Sequence, residues 1–482
     1  MQFRLWFADG TVRLAVDGGD APQGAPLDPT TLPGVVADDR APGYRAPAYR
    51  YAAIRDAVAD GVDDSCGEIS VDADFHGEIT ADDDSHGEIT VDDEITAGFD
   101  LADPLVSPYN LRPYQAAALA DWTDADRRGV VELPTGSGKT VIGVAAIAAC
   151  ETPTIVVVPT VDLLTQWRRE LRAAFDVPVG QFGGGEQRQE RITVSTYDSA
   201  YLRADDVGGD FGLAVFDEAH HLGGEGFRDA ARLLAAPARL GLTATFERPD
   251  GAHEAVADLV GPVVARADVD DLAGEYLAAY DVRRISVDLS ASEREAYEDA
   301  QGTFVDYVRS AGITFESGSD YRELVKRSGR DPAAREALLA KQRAREIMMN
   351  ADAKLTELER LLARHREDRV IVFTAHTELV YRISERFLIP AITAETGAAE
   401  RRALLDGFRE GTYSRIVAAN VLDEGVDVPD ASVGVVLSGS GSPREFTQRL
   451  GRLLRPGDSD HAVLYELVAD DTAEERVARR RR

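Results

Sequence analysis

The sequence predicts an α/β protein: two domains built on parallel sheets, a helical insert between them, and a small N-terminal α+β module. Three observations predict it. Two short strand-like stretches, Val130-Val131-Glu132 and the apolar run 213–216, lead straight into groups suited to chemistry. Buried parallel strands end this way where open α/β sheets meet their ligands. The alternation of short apolar runs with helical stretches resumes at 370–374, 416–419 and 433–437. Between these sets, residues 285–350 lose the alternation and read as charged helices.

The first run leads into Leu133-Pro134-Thr135-Gly136-Ser137-Gly138-Lys139-Thr140, and an apolar helix follows over 141–150. Strand, glycine-rich turn and helix make a phosphate cradle. Backbone N–H groups and the positive helix end face the anion, Lys139 neutralises the β/γ oxygens, and Thr140 holds Mg²⁺. The Walker pattern asks for Gly where Leu133 stands, and a glycine-rich turn met by chance would lack the flanking strand and helix. The second run ends in Asp217-Glu218-Ala219-His220. Asp217 is placed to hold Mg²⁺ and Glu218 to orient or deprotonate the attacking water. A surface acidic pair would not terminate a buried run. The two sites together read as an ATPase core, with ATP and Mg²⁺ as its cofactors.

A length of 482 residues suggests two to four domains, and 44% apolar content supplies several cores. Net charge is −32, and of 53 basic residues four are Lys (139, 326, 341, 354) and the rest Arg. So acidic and Lys-poor a surface reads as adaptation to high salt. Acidity ordinarily argues against nucleic acid, but here it is global and Arg can still cluster. Two cysteines, Cys66 and Cys150, cannot build a disulfide framework. No run approaches the roughly 18 apolar residues of a membrane span, and the start lacks a signal-peptide pattern. A soluble, cytoplasmic protein with no membrane partner is expected.

In chain order, residues 1–17 alternate around Asp9-Gly10 as a β-hairpin, and 49–62 reads as a short helix. From Asp60 to Asp103 there are 16 Asp/Glu and no Lys or Arg, within which a ten-residue unit repeats at Cys66, His76 and His86. The shared phase of those three residues admits a metal site. The favoured reading is an acidic linker expanded by duplication, because each unit has little to bury and ordering three spread ligands is costly. Asn110-Leu111-Arg112-Pro113-Tyr114-Gln115 opens the first α/β domain, and the Gln115 amide, 24 residues before Lys139, suits an adenine edge. The strand 154–158 leads through Pro159 and Thr160 into a helix over 161–175. The strand ending at Ser195-Thr196-Tyr197 presents hydroxyls suited to a nucleic-acid backbone, although a strand-end hydroxyl is more often structural, and the strand leading into Thr243-Ala244-Thr245 would link the γ-phosphate site to the polymer track. In the insert, Ser292-Glu293-Arg294-Glu295 resembles a capping box, and Asp331-Pro332 starts a further helix. After the second α/β set comes Gln448-Arg449-Leu450-Gly451-Arg452-Leu453-Leu454-Arg455. Arg452 and Arg455 lie three apart, share a helix face, and suit arginine fingers on the γ-phosphate better than a solvated face.

This order of motifs, from Gln115 through Gly136–Thr140, Asp217–His220 and Thr243–Thr245 to Gly425-Val426-Asp427 and Gln448–Arg452, resembles a superfamily 2 helicase over roughly 108–470. It is most similar to the archaeal XPB-type DNA helicases, through segments 195–201, 241–248, 387–392, 421–429 and 438–442. The resemblance implies two RecA-like domains, ATP with Mg²⁺ in a cleft, 3′→5′ movement on DNA, a role in DNA repair, and a repair nuclease as partner. It divides the chain into a damage-recognition-like module (1–65), the acidic repeat linker (66–107), a first RecA-like domain (108–265), a linker with helical thumb (266–350) and a second RecA-like domain (351–482). The candidate nucleotide contacts are Arg112, Gln115, Thr135, Gly136, Ser137, Gly138, Lys139, Thr140, Gly425 and Asp427. Candidates for coupling to DNA are Thr160, Thr196, Tyr197, Thr243, Thr245, Arg248, Asp250 and Gln448. Two departures stand out. The family's Arg-Glu-Asp triplet reads Arg248-Pro249-Asp250 here, which bears on strand separation more than on hydrolysis, and the repeat lengthens the N-terminal tether, so loose docking of that module is expected. Rival readings are a duplex DNA translocase with weak unwinding, an RNA helicase, and a non-catalytic scaffold, the last opposed by the presence of Lys139, Asp217, Glu218 and Arg452.

Overall fold

The computed structural model describes residues 2–16, 27–63, 78–80, 90–96, 104–247, 251–272, 274–276, 279–314, 318–419, 431–438 and 461–475. Cys66, His76, His86, Arg248, Asp250, Gly425, Asp427, Gln448, Arg452 and Arg455 lie outside them. The chain divides into two units, Met1–Asp271 and Leu272–Arg482.

The first unit begins with β1 (Gln2–Ala8), β2 (Thr11–Val16), β3 (Val36–Ala37), β4 (Tyr44–Pro47), helix α1 (Tyr51–Asp63), β5 (Glu78–Thr80) and β6 (Thr90–Asp93). Their sheet runs β3-β4-β2-β1-β6-β5. Asp9 and Gly10 turn the β1–β2 hairpin, both at positive φ (50° and 68°), as a two-residue turn between right-twisted strands requires. Phe3, Leu5, Val12 and Leu14 alternate inward and are buried against Ile54 and Val58 of α1.

The acidic tract departs from the linker expected over 66–107. β6 pairs parallel with β1 and antiparallel with β5, burying Val91 and Ile95 in the N-terminal core. Asp93 accepts a hydrogen bond from the Tyr51 hydroxyl and another from the Ile95 N–H at 3.1 Å. Burial raises the Asp93 carboxyl above its ordinary range. One repeat unit has too few apolar residues for a core of its own, but β6 lays Val91 on an apolar face that β1 and α1 already form.

Docking of the N-terminal module is also tighter than the tether suggested. The Tyr49 hydroxyl donates to Asp258 at 3.2 Å and Arg50 to the same carboxylate at 2.9 Å. Ala235 belongs to the N-terminal core cluster, and Phe7 lies against Gly208 and Gly209. The module is held by its own apolar face, so the length of the intervening tract matters little.

The rest of this unit comprises α2 (Pro113–Asp124), β7 (Arg128–Glu132), α3 (Lys139–Cys150), β8 (Thr154–Val158), α4 (Val161–Ala174), β9 (Val179–Gly183), β10 (Glu186–Arg188), β11 (Ile192–Thr196), α5 (Tyr197–Val207), β12 (Leu213–Asp217), α6 (Glu225–Arg232), β13 (Ala238–Thr243), α7 (His253–Leu259) and β14 (Val263–Arg266), with a short α8 (Val269–Leu272) after them. The sheet order is β10-β9-β11-β8-β12-β13-β7-β14, and among the described strands of this sheet the β10–β9 pair alone is antiparallel. Val156, Val158 and Leu242 belong to one apolar cluster, and Ile155, Val157 and Phe216 to another. Strands buried on both faces read as continuous apolar runs. β7 and β8 are consecutive in the chain yet separated by β13 and β12, which opens a crevice at the strand ends where parallel sheets bind ligands.

At the end of α3, Cys150 is buried and its thiol is pushed up to about 11 by burial. At pH 8 an alkylating reagent should therefore modify it about 10²-fold more slowly than an unfolded-chain cysteine, since the thiolate is the reactive form. Peptide mass spectrometry reads this directly. Modification of Cys150 in the native chain at the unfolded rate would contradict it.

The second unit carries β15 (Ala279–Val287), α9 (Ala291–Ser310), α10 (Gly318–Ser328), α11 (Pro332–Met349), α12 (Asp352–Arg364), β16 (Val370–Phe373), α13 (Thr377–Phe387), β17 (Ala391–Ile392), α14 (Ala398–Arg409), β18 (Arg415–Ala418), β19 (Val433–Val436) and β20 (His461–Ala469). Its strands, ordered β15-β20-β19-β16-β18-β17, are parallel throughout the described residues. The capping box of α9 lies two residues earlier than expected. Ser290 accepts from the Glu293 N–H and Glu293 accepts from the Ser290 N–H, because the strand before it ends soon enough for Ser290 to keep extended backbone. Asp331 caps α11, accepting from the Ala333 N–H at 2.9 Å with Pro332 in the first turn. α11 buries Ala334, Ala337, Ala340 and Ala344 along one stripe, small enough for helices to approach closely.

Candidate functional site

Three adjacent strands of the first unit end at one level. Asp217 of β12 pairs with Leu242 of β13, and Thr243 of β13 with Glu132 of β7. With β13 between them, the phosphate loop after β7 and the acidic pair after β12 stand two strand spacings apart, roughly 10 Å. That separation is what a nucleotide's terminal phosphates and a hydrolytic water occupy.

The loop turns through Gly136 and Gly138, at φ +86° and +85°, where a side chain would be strained. Such a turn directs successive N–H groups into one concavity. The hydroxyls of Thr135 and Ser137 are buried there with no hydrogen-bond partner among the described residues. Buried donors of this kind are costly unless satisfied, and phosphate oxygens are the acceptors they fit. Lys139 opens α3 and donates to the Leu133 and Pro134 carbonyls at 3.0 and 3.3 Å, so its ammonium already lies within the loop. Thr140 follows in the first turn of that helix.

Gln115, expected at the adenine edge, is turned inward. It is 4% exposed. Its Oε1 accepts from the Arg112 N–H and its Nε2 donates to the Ser137 carbonyl, both at 2.9 Å. The Tyr114 hydroxyl donates to that same carbonyl. The Arg112–Gln115 segment therefore buttresses the phosphate loop and caps α2.

Asp217 is buried, and that burial raises its carboxyl above the ordinary range, opposed chiefly by a hydrogen bond from Trp167 and by the Lys139 charge. Trp167 Nε1 donates to Oδ2 at 2.7 Å, and the Glu218 N–H donates to Oδ1 at 2.9 Å. Glu218 is held at φ +49°, ψ +49°, a left-handed conformation costly for a side chain with Cβ. Its Oε2 lies 3.5 Å from His220 Nδ1. His220 is in turn 2.9 Å from the Thr243 hydroxyl, which donates to the Thr245 carbonyl at 2.9 Å. One chain of contacts thus joins the acidic pair to the end of β13.

Of the residues expected to couple to DNA, Thr160 and Thr196 are N-caps, accepting from the Leu163 and Ser199 N–H groups. Tyr197 is 1% exposed, and its hydroxyl donates to the Asp217 carbonyl at 3.2 Å. That burial is a correction, because Tyr197 cannot touch a nucleic acid and belongs to the core behind Asp217. Thr243 is fully buried as well, its hydroxyl in contact with His220 and Thr245. Sequence reading passed over Trp167 and His220. His220 lies within the Asp217–His220 segment, whereas a tryptophan on an amphipathic helix looks like any core residue. Among the described residues no cluster of three or more His, Cys, Asp or Glu is placed to hold a metal, and no helix is long and apolar enough to cross a membrane.

Comparison with known proteins gives three matching families. Residues 5–62 match the xeroderma pigmentosum group B helicase damage recognition domain, 108–248 the type III restriction enzyme res subunit, and 353–457 the helicase conserved C-terminal domain. The chain is 45% identical to the DNA 3'-5' translocase XPB2 of Sulfurisphaera tokodaii, covering 77% of this chain and 84% of that one. It is 31% identical to the DNA 3'-5' helicase XPB of Mycobacterium tuberculosis, covering 77% of this chain and 63% of that protein's length, under two thirds. Among solved structures, the Pyrococcus furiosus Hef helicase domain superposes with a TM-score of 0.51 at 20% identity, covering 76% of this chain and 97% of that one. That likeness bears on the fold alone, and it agrees with two RecA-like α/β domains.

Proposed function

The chain belongs to the XPB helicase family, and from that premise we propose that it is an ATP-driven DNA motor of 3′→5′ polarity, separating strands in DNA repair. One observation supports it most: the phosphate loop, Asp217-Glu218 and Thr243 stand on three neighbouring strand ends, with two buried hydroxyls awaiting acceptors in the loop. Lys139, released from the Leu133 and Pro134 carbonyls, binds the β/γ oxygens. Thr140 and Asp217 would hold Mg²⁺, which when bound neutralises charge on those oxygens. Glu218 takes the proton of the attacking water. Arg452 and Arg455 bring positive charge to the γ-phosphate, and Gly425 and Asp427 add nucleotide contacts. The chain from Glu218 through His220 to Thr243 and Thr245 relays the state of that phosphate towards the DNA track, to which Thr160, Thr196, Arg248, Asp250 and Gln448 contribute.

The helical insert is the strongest candidate for a grip on the strand. Residues 321–345 hold eight Arg/Lys and three Asp/Glu in a chain of net charge −32. Tyr321, Arg335, Lys341, Arg345 and His376 line a groove of about 740 Å³ in the second unit. In high salt counterion release contributes little, so arginine hydrogen bonds and base stacking on Tyr321 carry the grip. From the family resemblance we take a repair nuclease as partner and the cell interior as its location.

Strand displacement in molar salt tests the reading. A duplex with a 3′ single-stranded tail should be opened in an ATP-dependent reaction, and one with a 5′ tail should not. Equal opening of both removes the polarity. Duplex-stimulated hydrolysis without displacement would favour a duplex translocase, the second reading, which the Arg248-Pro249-Asp250 departure supports. Stronger stimulation by RNA than by DNA would overturn the choice of substrate.

A further inference from the structure

We propose that Trp167 is a positioning residue for the magnesium site: its indole N–H sets the Asp217 carboxylate and ties helix α4 to the strand end that binds the metal. The inference rests on the ATPase reading of that site. With Trp167 donating to Oδ2 at 2.7 Å and the Glu218 N–H to Oδ1 at 2.9 Å, each carboxylate oxygen carries one donor, which fixes its rotamer. Each oxygen keeps a lone pair for a cation or its waters. An indole nitrogen donates and never ligates, so the ring orients the carboxylate without competing for the metal.

Trp167 also packs against the helix that follows the phosphate loop. It is 1% exposed. A Cβ added at Gly143 of α3 would come within 2.5 Å of its Cη2, so the ring lies flush on the helix that Lys139 opens. Trp167 sits on α4, whose first turn is capped by Thr160. One rigid side chain therefore touches the phosphate-loop helix, carries the helix that starts at the expected DNA track, and holds the metal-binding carboxylate. Displacement of α4 by DNA would move the donor that fixes Asp217.

Trp167→Phe keeps an aromatic ring and removes the N–H. Binding of a fluorescent ADP analogue is measured in EDTA and across a Mg²⁺ titration. Partners that orient a metal-binding group change metal affinity by about 10- to 100-fold when removed, so half-maximal tightening should require about 10-fold more Mg²⁺, with affinity in EDTA unchanged. Trp122→Phe is the control. It removes a second buried indole, whose N–H donates to the Arg239 carbonyl at 2.9 Å, and should lose stability while keeping the wild-type Mg²⁺ titration. A wild-type titration in Trp167→Phe overturns the inference, as does an equal shift in Trp122→Phe. Should Trp167→Phe fail to fold, the Trp6→Phe/Trp122→Phe protein has Trp167 as its one remaining tryptophan. Its emission should change on adding nucleotide with Mg²⁺ and stay constant with nucleotide in EDTA, and constancy in both overturns the inference. No nucleotide binding by the wild-type chain would sink the ATPase reading itself.

Discussion

Glu218→Gln is expected to lower kcat for ATP hydrolysis by about 10²- to 10⁴-fold, the range over which a positioned general base contributes, while nucleotide affinity stays near wild type. The substitution is isosteric, so the left-handed backbone at Glu218 and the approach to His220 persist. What disappears is the carboxylate that we propose receives the proton of the attacking water. Affinity is expected to be retained because the proposed nucleotide-binding groups, Lys139 and the glycine turn, are not touched. A fall in kcat without a rise in Kd marks an interaction made only in the transition state. Steady-state hydrolysis beside equilibrium binding of a fluorescent nucleotide measures both terms. Hydrolysis within a few-fold of wild type would remove Glu218 from the base role and turn attention to Asp217, the other carboxylate at that strand end.

Lys354→Met should be the most damaging single change to stability in the second unit. Lys354 and Glu474 are almost fully buried, their charged atoms 2.7 and 2.9 Å apart, and the same ammonium donates to the Leu437 carbonyl at 2.7 Å. Glu474 also accepts from the Ala469 N–H at 2.9 Å. The cluster joins α12 to the ends of β19 and β20. Removing the cation leaves an uncompensated buried carboxylate, which costs about 3–5 kcal/mol, and the melting transition should fall by about 10 °C. Lys354→Met/Glu474→Leu should recover most of that loss, because an apolar pair removes both charges. Salt separates this pair from exposed ones such as Arg327–Glu323: the loss should persist in molar salt, where surface pairs are screened. A melting temperature unchanged by Lys354→Met would contradict the account of this cluster.

The parts of the fold legible in the sequence are those whose physics is local. Strand, glycine turn and helix around Lys139 follow from residues a few places apart, as do the Asp9-Gly10 hairpin and the Asp331-Pro332 helix start. Asp217 was legible because four apolar residues run straight into it. The rest depends on partners distant in the chain. Val91 becomes a core residue only once β1 and α1 offer it a face, so the acidic repeat read as a tether. Tyr197 read as a surface contact because its place in the chain does not reveal that its hydroxyl faces the Asp217 carbonyl. Gln115 could serve an adenine or a backbone carbonyl equally well, and its bond to the Ser137 carbonyl depends on a residue 22 places on. Trp167 was hidden for the opposite reason: its apolar spacing explains it fully as core, and its one polar atom meets Asp217 fifty residues on.

The central claim, that the strand-end site drives a DNA motor, is tested most directly by ATP hydrolysis in molar salt with and without single-stranded, forked and duplex DNA, with Lys139→Ala as the blank. The account predicts hydrolysis by the wild-type chain that DNA stimulates and that the blank lacks. A rate indifferent to DNA at every salt concentration would contradict it and leave an ATPase with some other task.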